Sequence, residues 1–119
     1  MIKQWHLHAY HILTSIDRIV AYQARGNMEI DTLIFDGTLR NLHTLSESTA
    51  HIPEEIKGRY PEINWKAIIG FRNLIVHAYL GETIDIDRLK KVIDERLPQL
   101  KEVLEDILKQ NSDDGAVEG

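Results

Sequence analysis

Asn64-Trp65-Lys66-Ala67-Ile68-Ile69-Gly70-Phe71-Arg72-Asn73-Leu74-Ile75-Val76-His77-Ala78-Tyr79-Leu80-Gly81 is the stretch on which the reading of this chain turns. On a helical wheel Trp65, Ala67, Ile68, Ile69, Phe71, Leu74, Ile75, Val76 and Ala78 cover nearly the whole circumference, the pattern of a central helix buried on all sides. Asn64 supplies an N-cap and Gly81 a C-terminal stop, so the spacing predicts a helix from Trp65 to about Leu80. Arg72, Asn73 and His77 are set into that apolar run. A buried cation costs several kcal/mol unless it is paired, so Arg72 needs a structural partner or a function.

The same periodicity extends outward in both directions. Trp5, Ala9, Ile12, Leu13, Ile16, Ile19 and Val20 recur on one helical face, and Arg25-Gly26-Asn27 closes that helix. A short helical turn is expected over Asp31 to Phe35, with Asp36 capping a helix that runs through Leu39, Leu42 and Leu45 to Ile52. Pro53 opens a brief helix closed by Lys57-Gly58-Arg59-Tyr60-Pro61. Asp85 caps the last segment, where Leu89, Val92, Ile93, Leu97, Leu100, Val103, Leu104, Ile107 and Leu108 repeat. Pro98 interrupts it, so a kink or break is expected near Arg96-Leu97. No strand-like alternation appears. The fold expected is all-α: one antiparallel four- to five-helix bundle over residues 1–110, followed by a polar, frayed tail over 111–119.

Composition excludes several function classes. With 43% hydrophobic and 28% charged residues the chain reads as globular, and no apolar run approaches the ~20 residues that cross a bilayer. The N-terminal residues carry no secretory pattern, so a cytoplasmic location is expected. Zero cysteines remove disulfides, thiolate metal sites and thiol nucleophiles together. A net charge of −5 argues against indiscriminate nucleic-acid binding. Any RNA contact must then be local, drawing on Lys57, Arg59, Lys66 and Arg72 or on Arg88, Lys90 and Lys91.

At ~100° per residue Asn73 and His77 share a face, whereas Arg72 and His77 diverge by roughly 140° and Tyr79 returns to the Arg72 stripe. One straight helix cannot focus these groups on one atom. A cleft between two copies of the helix can, which favours a homodimer joined through it. Two readings remain at this point: a polar network with Glu47 or Arg40 that fixes helix register, or a site.

Arg72-Asn73-Leu74-Ile75-Val76-His77-Ala78-Tyr79 resembles the R-x4-H-x-Y motif of HepT-like toxins in the HEPN superfamily. Asp36-Gly37-Thr38-Leu39-Arg40-Asn41-Leu42 with Glu47, the lead-in Pro61 to Phe71, and Leu97-Pro98-Gln99-Leu100-Lys101 resemble further parts of that family, although Ser46 stands where it often has Gly. The resemblance covers about Trp5 to Lys109. It implies a HEPN-like bundle and a metal-independent endoribonuclease, the toxin of a type VII toxin–antitoxin pair, cleaving mRNA or tRNA by attack of the ribose 2′-OH on the adjacent phosphate. Arg72, Asn73 and His77 would be catalytic: His77 exchanging protons, Arg72 stabilising phosphorane charge, Asn73 orienting. Arg40 and Glu47 would support them. Tyr79 matches the position that an MntA-type nucleotidyltransferase antitoxin modifies with AMP, using ATP and magnesium that this chain itself does not bind. The partners implied are a second copy, the antitoxin and RNA, without DNA or membrane. The alternative is a non-catalytic substrate-binding or regulatory subunit of a nucleotidyltransferase.

His6-x-His8-x-x-His11 invites a metal reading, but residues two apart face differently on a helix and no carboxylate lies within a turn of His8. No metal site is expected there. His43 and His51 could line one cleft.

Overall fold

The computed structural model describes residues 3–81 and 85–111, and of Tyr79 the backbone only. The tail expected over 111–119 lies, beyond Asn111, outside the described residues, as does the side chain of Tyr79. The described residues form helices and connecting turns with no strand: α1 (Gln4–Arg25), α2 (Thr32–Thr49), α3 (Glu54–Lys57), α4 (Trp65–Ile69), α5 (Phe71–Tyr79), α6 (Ile86–Lys91) and α7 (Leu97–Asn111), with a π-helical turn over Val92–Arg96. None of these helices is long and apolar enough to cross a membrane.

α1 and α2 make the most extensive pair, and their cross-links fix its direction. Gln23 donates to Thr38 at 3.0 Å, Ser15 meets Thr44 at 3.5 Å and His8 meets Ser48 at 3.5 Å, so residue numbers rise on one helix as they fall on the other. The pair is antiparallel. Gly37 permits this approach, since a Cβ there would lie 2.9 Å from the Tyr22 ring. α7 packs on α1 and α5 on α2. Ile12, Ile16, Leu42, Leu45, Ile75, Leu89 and Leu104, all essentially inaccessible, fill the space between them.

The caps refine the expected boundaries. Asp31, not Asp36, caps α2, its carboxylate accepting from the Leu33 and Ile34 amides, so Ile34 enters the core and the separate turn over Asp31 to Phe35 is simply the first turn of α2. Asn64 and Asp85 cap as expected, accepting from Ala67 and Arg88. Gly81 follows α5 with φ of +79°, a conformation that suits glycine. Ser46 is buried, and its hydroxyl donates to the His43 carbonyl at 2.8 Å, so the side chain that replaces glycine is satisfied locally.

Two departures bear on the site. The expected continuous helix from Trp65 to Leu80 divides at Gly70, where the ladder tightens as the Asn73 amide bonds the Gly70 carbonyl three residues back. Pro98 disturbs the last segment where expected, up to Arg96-Leu97, by widening a turn rather than by ending the helix. Its ring would collide with the Asp94 carbonyl in a regular helix, and the preceding turn widens instead, with the Leu97 amide bonding Val92 five residues back.

Candidate active site

The motif helix α5 is anchored by its inner face, and α4 leads into it. Ile75 is fully buried and Phe71 nearly so, and Leu74 and Ala78 pack at the core margin. Trp65 begins α4 with its indole N–H shared between the Lys57 and Tyr60 carbonyls, each at 3.1 Å. Tyr60 in turn donates to Asp106 on α7 at 2.6 Å. Burial first, and then that bond, push the Tyr60 hydroxyl up to about 12.

The expectation that the helix is buried on all sides is corrected. Arg72, Asn73 and His77 are exposed, so Arg72 carries no interior desolvation cost in the single chain. Ile69, Val76 and Leu80 are exposed too, at 36%, 42% and 71%, and with Arg72 they follow the spacing of one helical stripe. An apolar stripe left open on a central helix is what made the sequence look buried all round.

The 140° divergence of Arg72 from His77 is realised. His77 and Asn73 line a cleft of about 560 Å³ with Ala67, Gly70, Phe71 and Leu74 on one wall. Arg88, Lys91, Val92 and Arg96 form the other. Among the described residues, every formally charged one lining it is a cation: Arg88, Lys91 and Arg96. Arg72 lies outside it, lining a shallower recess of about 230 Å³ with Ser46, Glu47, Ala50, His51 and Ile69. The structure therefore unites Asn73 and His77 and sets Arg72 apart from them within one chain.

The expected supporting pair is rearranged. Glu47 bonds His43 at 3.1 Å, one turn back on α2, rather than Arg40. Glu47 still reaches the Arg72 recess, whereas Arg40 does not line it. His51 lines that recess and stacks on His8, with centroids 4.1 Å apart and planes within 6°. Burial and then the neighbouring His51 and His11 lower the pKa of His8. His6 is separated from these rings by function: it is buried, its Nδ1 accepts from the Lys3 amide, and burial lowers its pKa. His6 and His8, two residues apart on α1, thus sit in different surroundings. Arg96 is the lining residue that sequence reasoning missed; its only signal was the proline two residues on.

With this geometry in place, comparison with known proteins is informative. Residues 11–107 match the family profile described as HepT-like, ribonuclease HepT-like. The chain belongs to the HepT-like family. A probable ribonuclease HepT of Thermococcus cleftensis is similar, 34% identical over 60% of this chain and 63% of its own. A candidate RNase of Methanocaldococcus jannaschii is 31% identical over 56% of this chain and 60% of its own. A second from the same organism is 29% identical over 84% of each chain. The match therefore spans somewhat under two thirds of the length of the first two relatives. No solved structure matches the chain.

Proposed function

We propose that this HepT-like chain is a metal-independent endoribonuclease that acts as a homodimer. The observation that carries the reading is the cleft in which His77 and Asn73, one turn apart on α5, face a wall whose charges, among the described residues, are all positive. Such a cleft attracts a phosphodiester despite the overall charge of −5. Imidazole at neutral pH is the natural proton acceptor for a ribose 2′-OH. Attack of that oxygen on the adjacent phosphorus, with departure of the 5′-oxygen, leaves a 2′,3′-cyclic phosphate and a 5′-OH. The proton gained by His77 returns to the leaving oxygen, or a second His77 supplies one.

Arg72 completes the site from the partner subunit. The exposed stripe of Ile69, Arg72, Val76 and Leu80 supports pairing of two copies across α5, which would carry each Arg72 toward the other copy's cleft. There the guanidinium would stabilise charge growing on the phosphorane oxygens. Glu47, which lines the same recess as Arg72, would support it there. The relatives named as ribonucleases support the same chemistry.

In its cellular setting the chain is the toxin of a type VII pair, and AMP attached to Tyr79 by an MntA-type nucleotidyltransferase silences it, using that enzyme's ATP and magnesium. Phosphate added at Tyr79, on the same stripe as Arg72, would place negative charge beside the arginine that RNA phosphate needs. The test is cleavage of cellular mRNA and tRNA in EDTA by the unmodified protein. Loss of cyclic-phosphate products by about 10²-fold or more in His77→Ala and Arg72→Ala is expected, with the fold of both variants checked by circular dichroism. Intact RNA with the parent protein overturns the reading in favour of a nucleotidyltransferase subunit that only presents substrate.

A further inference from the structure

We infer that Arg88, Lys91 and Arg96 form the tract that holds the RNA backbone beside His77, and that Pro98 is what brings Arg96 into it. The inference rests on the ribonuclease reading for the identity of its ligand, and on the geometry of the wide turn for its content.

Arg88 and Lys91 are three apart on α6 and share a face. Arg96 is five beyond Lys91, and in a regular α-helix five residues turn the chain roughly 140° past the starting face. Continued as an α-helix, the segment would set Arg96 one turn past Val92, at the edge of the face that lines the cleft, rather than in line with Arg88 and Lys91. The turn from Val92 to Arg96 is instead π-helical, with the Leu97 amide bonded to the Val92 carbonyl five residues back, so residues five apart come nearly into register. All three cations consequently line the cleft, opposite Asn73 and His77.

The cause of the widening is two residues downstream. Pro98 has no amide hydrogen to give the Asp94 carbonyl, and its ring needs that carbonyl moved aside. The buried anchors on either side of the turn, Val92 and Leu97, keep their places in the core, so the extra width is taken up at the surface, where Asp94, Glu95 and Arg96 lie. Pro98 is itself exposed and does not line the cleft. It is a positioning residue that acts through Arg96.

Three cations in a row along one wall match successive phosphates of a single strand better than one multiply charged group. The occupant is single-stranded RNA, lying along α6 and the wide turn with its scissile phosphate at His77.

The experiment measures binding and cleavage separately, using a fluorescent single-stranded oligoribonucleotide across a salt series. Binding is read with the His77→Ala background, where cleavage is absent, and KM and kcat with the intact site. Arg96→Gln is expected to raise Kd and KM roughly 3- to 10-fold, with kcat little changed, and to reduce the slope of log Kd against log salt by about 0.7. Arg96→Lys should restore most of both. Pro98→Ala, which lets the turn relax to an α-helix, should reproduce the Arg96→Gln loss while raising thermal stability or leaving it unchanged. In the double variant the two losses should not add.

If the parent cleaves RNA and Arg96→Gln binds with parental affinity and salt slope, the tract is refuted and the ribonuclease reading survives. If the parent binds RNA with the expected slope but does not cleave it, the tract stands and the catalytic reading fails. No binding and no cleavage overturns both. Additive losses in the double variant refute the role of Pro98 alone.

Discussion

Tyr60→Phe removes a single oxygen, and the structure indicates what that oxygen is worth. The Tyr60 hydroxyl donates to Asp106 at 2.6 Å, tying the loop before α4 to α7 across 46 residues of chain. A bond to a charged acceptor contributes ~1.5–3 kcal/mol, and the low end applies here because Asp106 is part-exposed and also accepts from Gln110 at 3.1 Å. A loss of ~1.5 kcal/mol lowers the melting temperature of a domain this size by about 5–6 °C. The pH dependence gives a sharper check. The folded state keeps the Tyr60 proton up to about 12, against 10.0 for an unperturbed tyrosine. Between those values the native chain binds more protons than the unfolded one, so the contribution is fully present below 10.0 and is lost as pH rises toward 12. Urea unfolding followed by circular dichroism should therefore show parent and variant separated at neutral pH and converging near the middle of that window. Equal stability at neutral pH, or a separation that does not shrink in alkali, would refute the reasoning. The Tyr60 carbonyl also receives the Trp65 indole, so the same residue links α7 to the start of α4, which leads into the motif helix.

The other predictions concern assembly and protonation. Mixing Arg72→Ala with His77→Ala protein, each inactive alone, should restore about a quarter of parental cleavage, because half the dimers are mixed and each holds one intact site of two; absence of any recovery would mean that Arg72 and His77 act within one chain. Val76→Asp, which places a carboxylate on the exposed stripe of α5, should yield a folded, inactive monomer by analytical ultracentrifugation, and a dimeric product would move the interface elsewhere. His8→Phe keeps the stacked ring on His51 while removing a group whose pKa burial and neighbouring histidines lower. Since the unfolded chain takes up that proton first, parental stability should fall as pH drops below about 6.5. The variant should lose less, and identical acid profiles would show that His8 does not contribute.

How far the sequence carried this reading depended on whether a decision was local. The caps at Asn64 and Asp85 and the stop at Gly81 are matters of one side chain or one backbone angle, and each stands where the residue types placed it. The start of α2 was not local: Asp31 and Asp36 are both competent caps, and burial of Ile34 in the core decides between them. Pro98 announced a disturbance but not its form, because whether a helix breaks or widens depends on what anchors it on either side. Arg96 was invisible for the same reason. The polar residues of the motif could be picked out by type; their exposure could not, since an apolar stripe on the surface reads in sequence like one packed in the core.

That ambiguity bears on why the motif spaces its arginine and histidine by five. A spacing of four would align both groups on one face of α5 and allow a single chain to assemble them. Five turns them apart by roughly 140°, placing Arg72 in one recess and His77 in another. In the proposed dimer the two-fold axis reverses that divergence, so the arginine of each copy closes the other's cleft. Cleavage would then depend on the same encounter that covers Ile69, Val76 and Leu80. A chain diluted below the dissociation constant of that dimer would lose activity and bury less apolar surface together, which would couple the chemistry to assembly through the pitch of one helix.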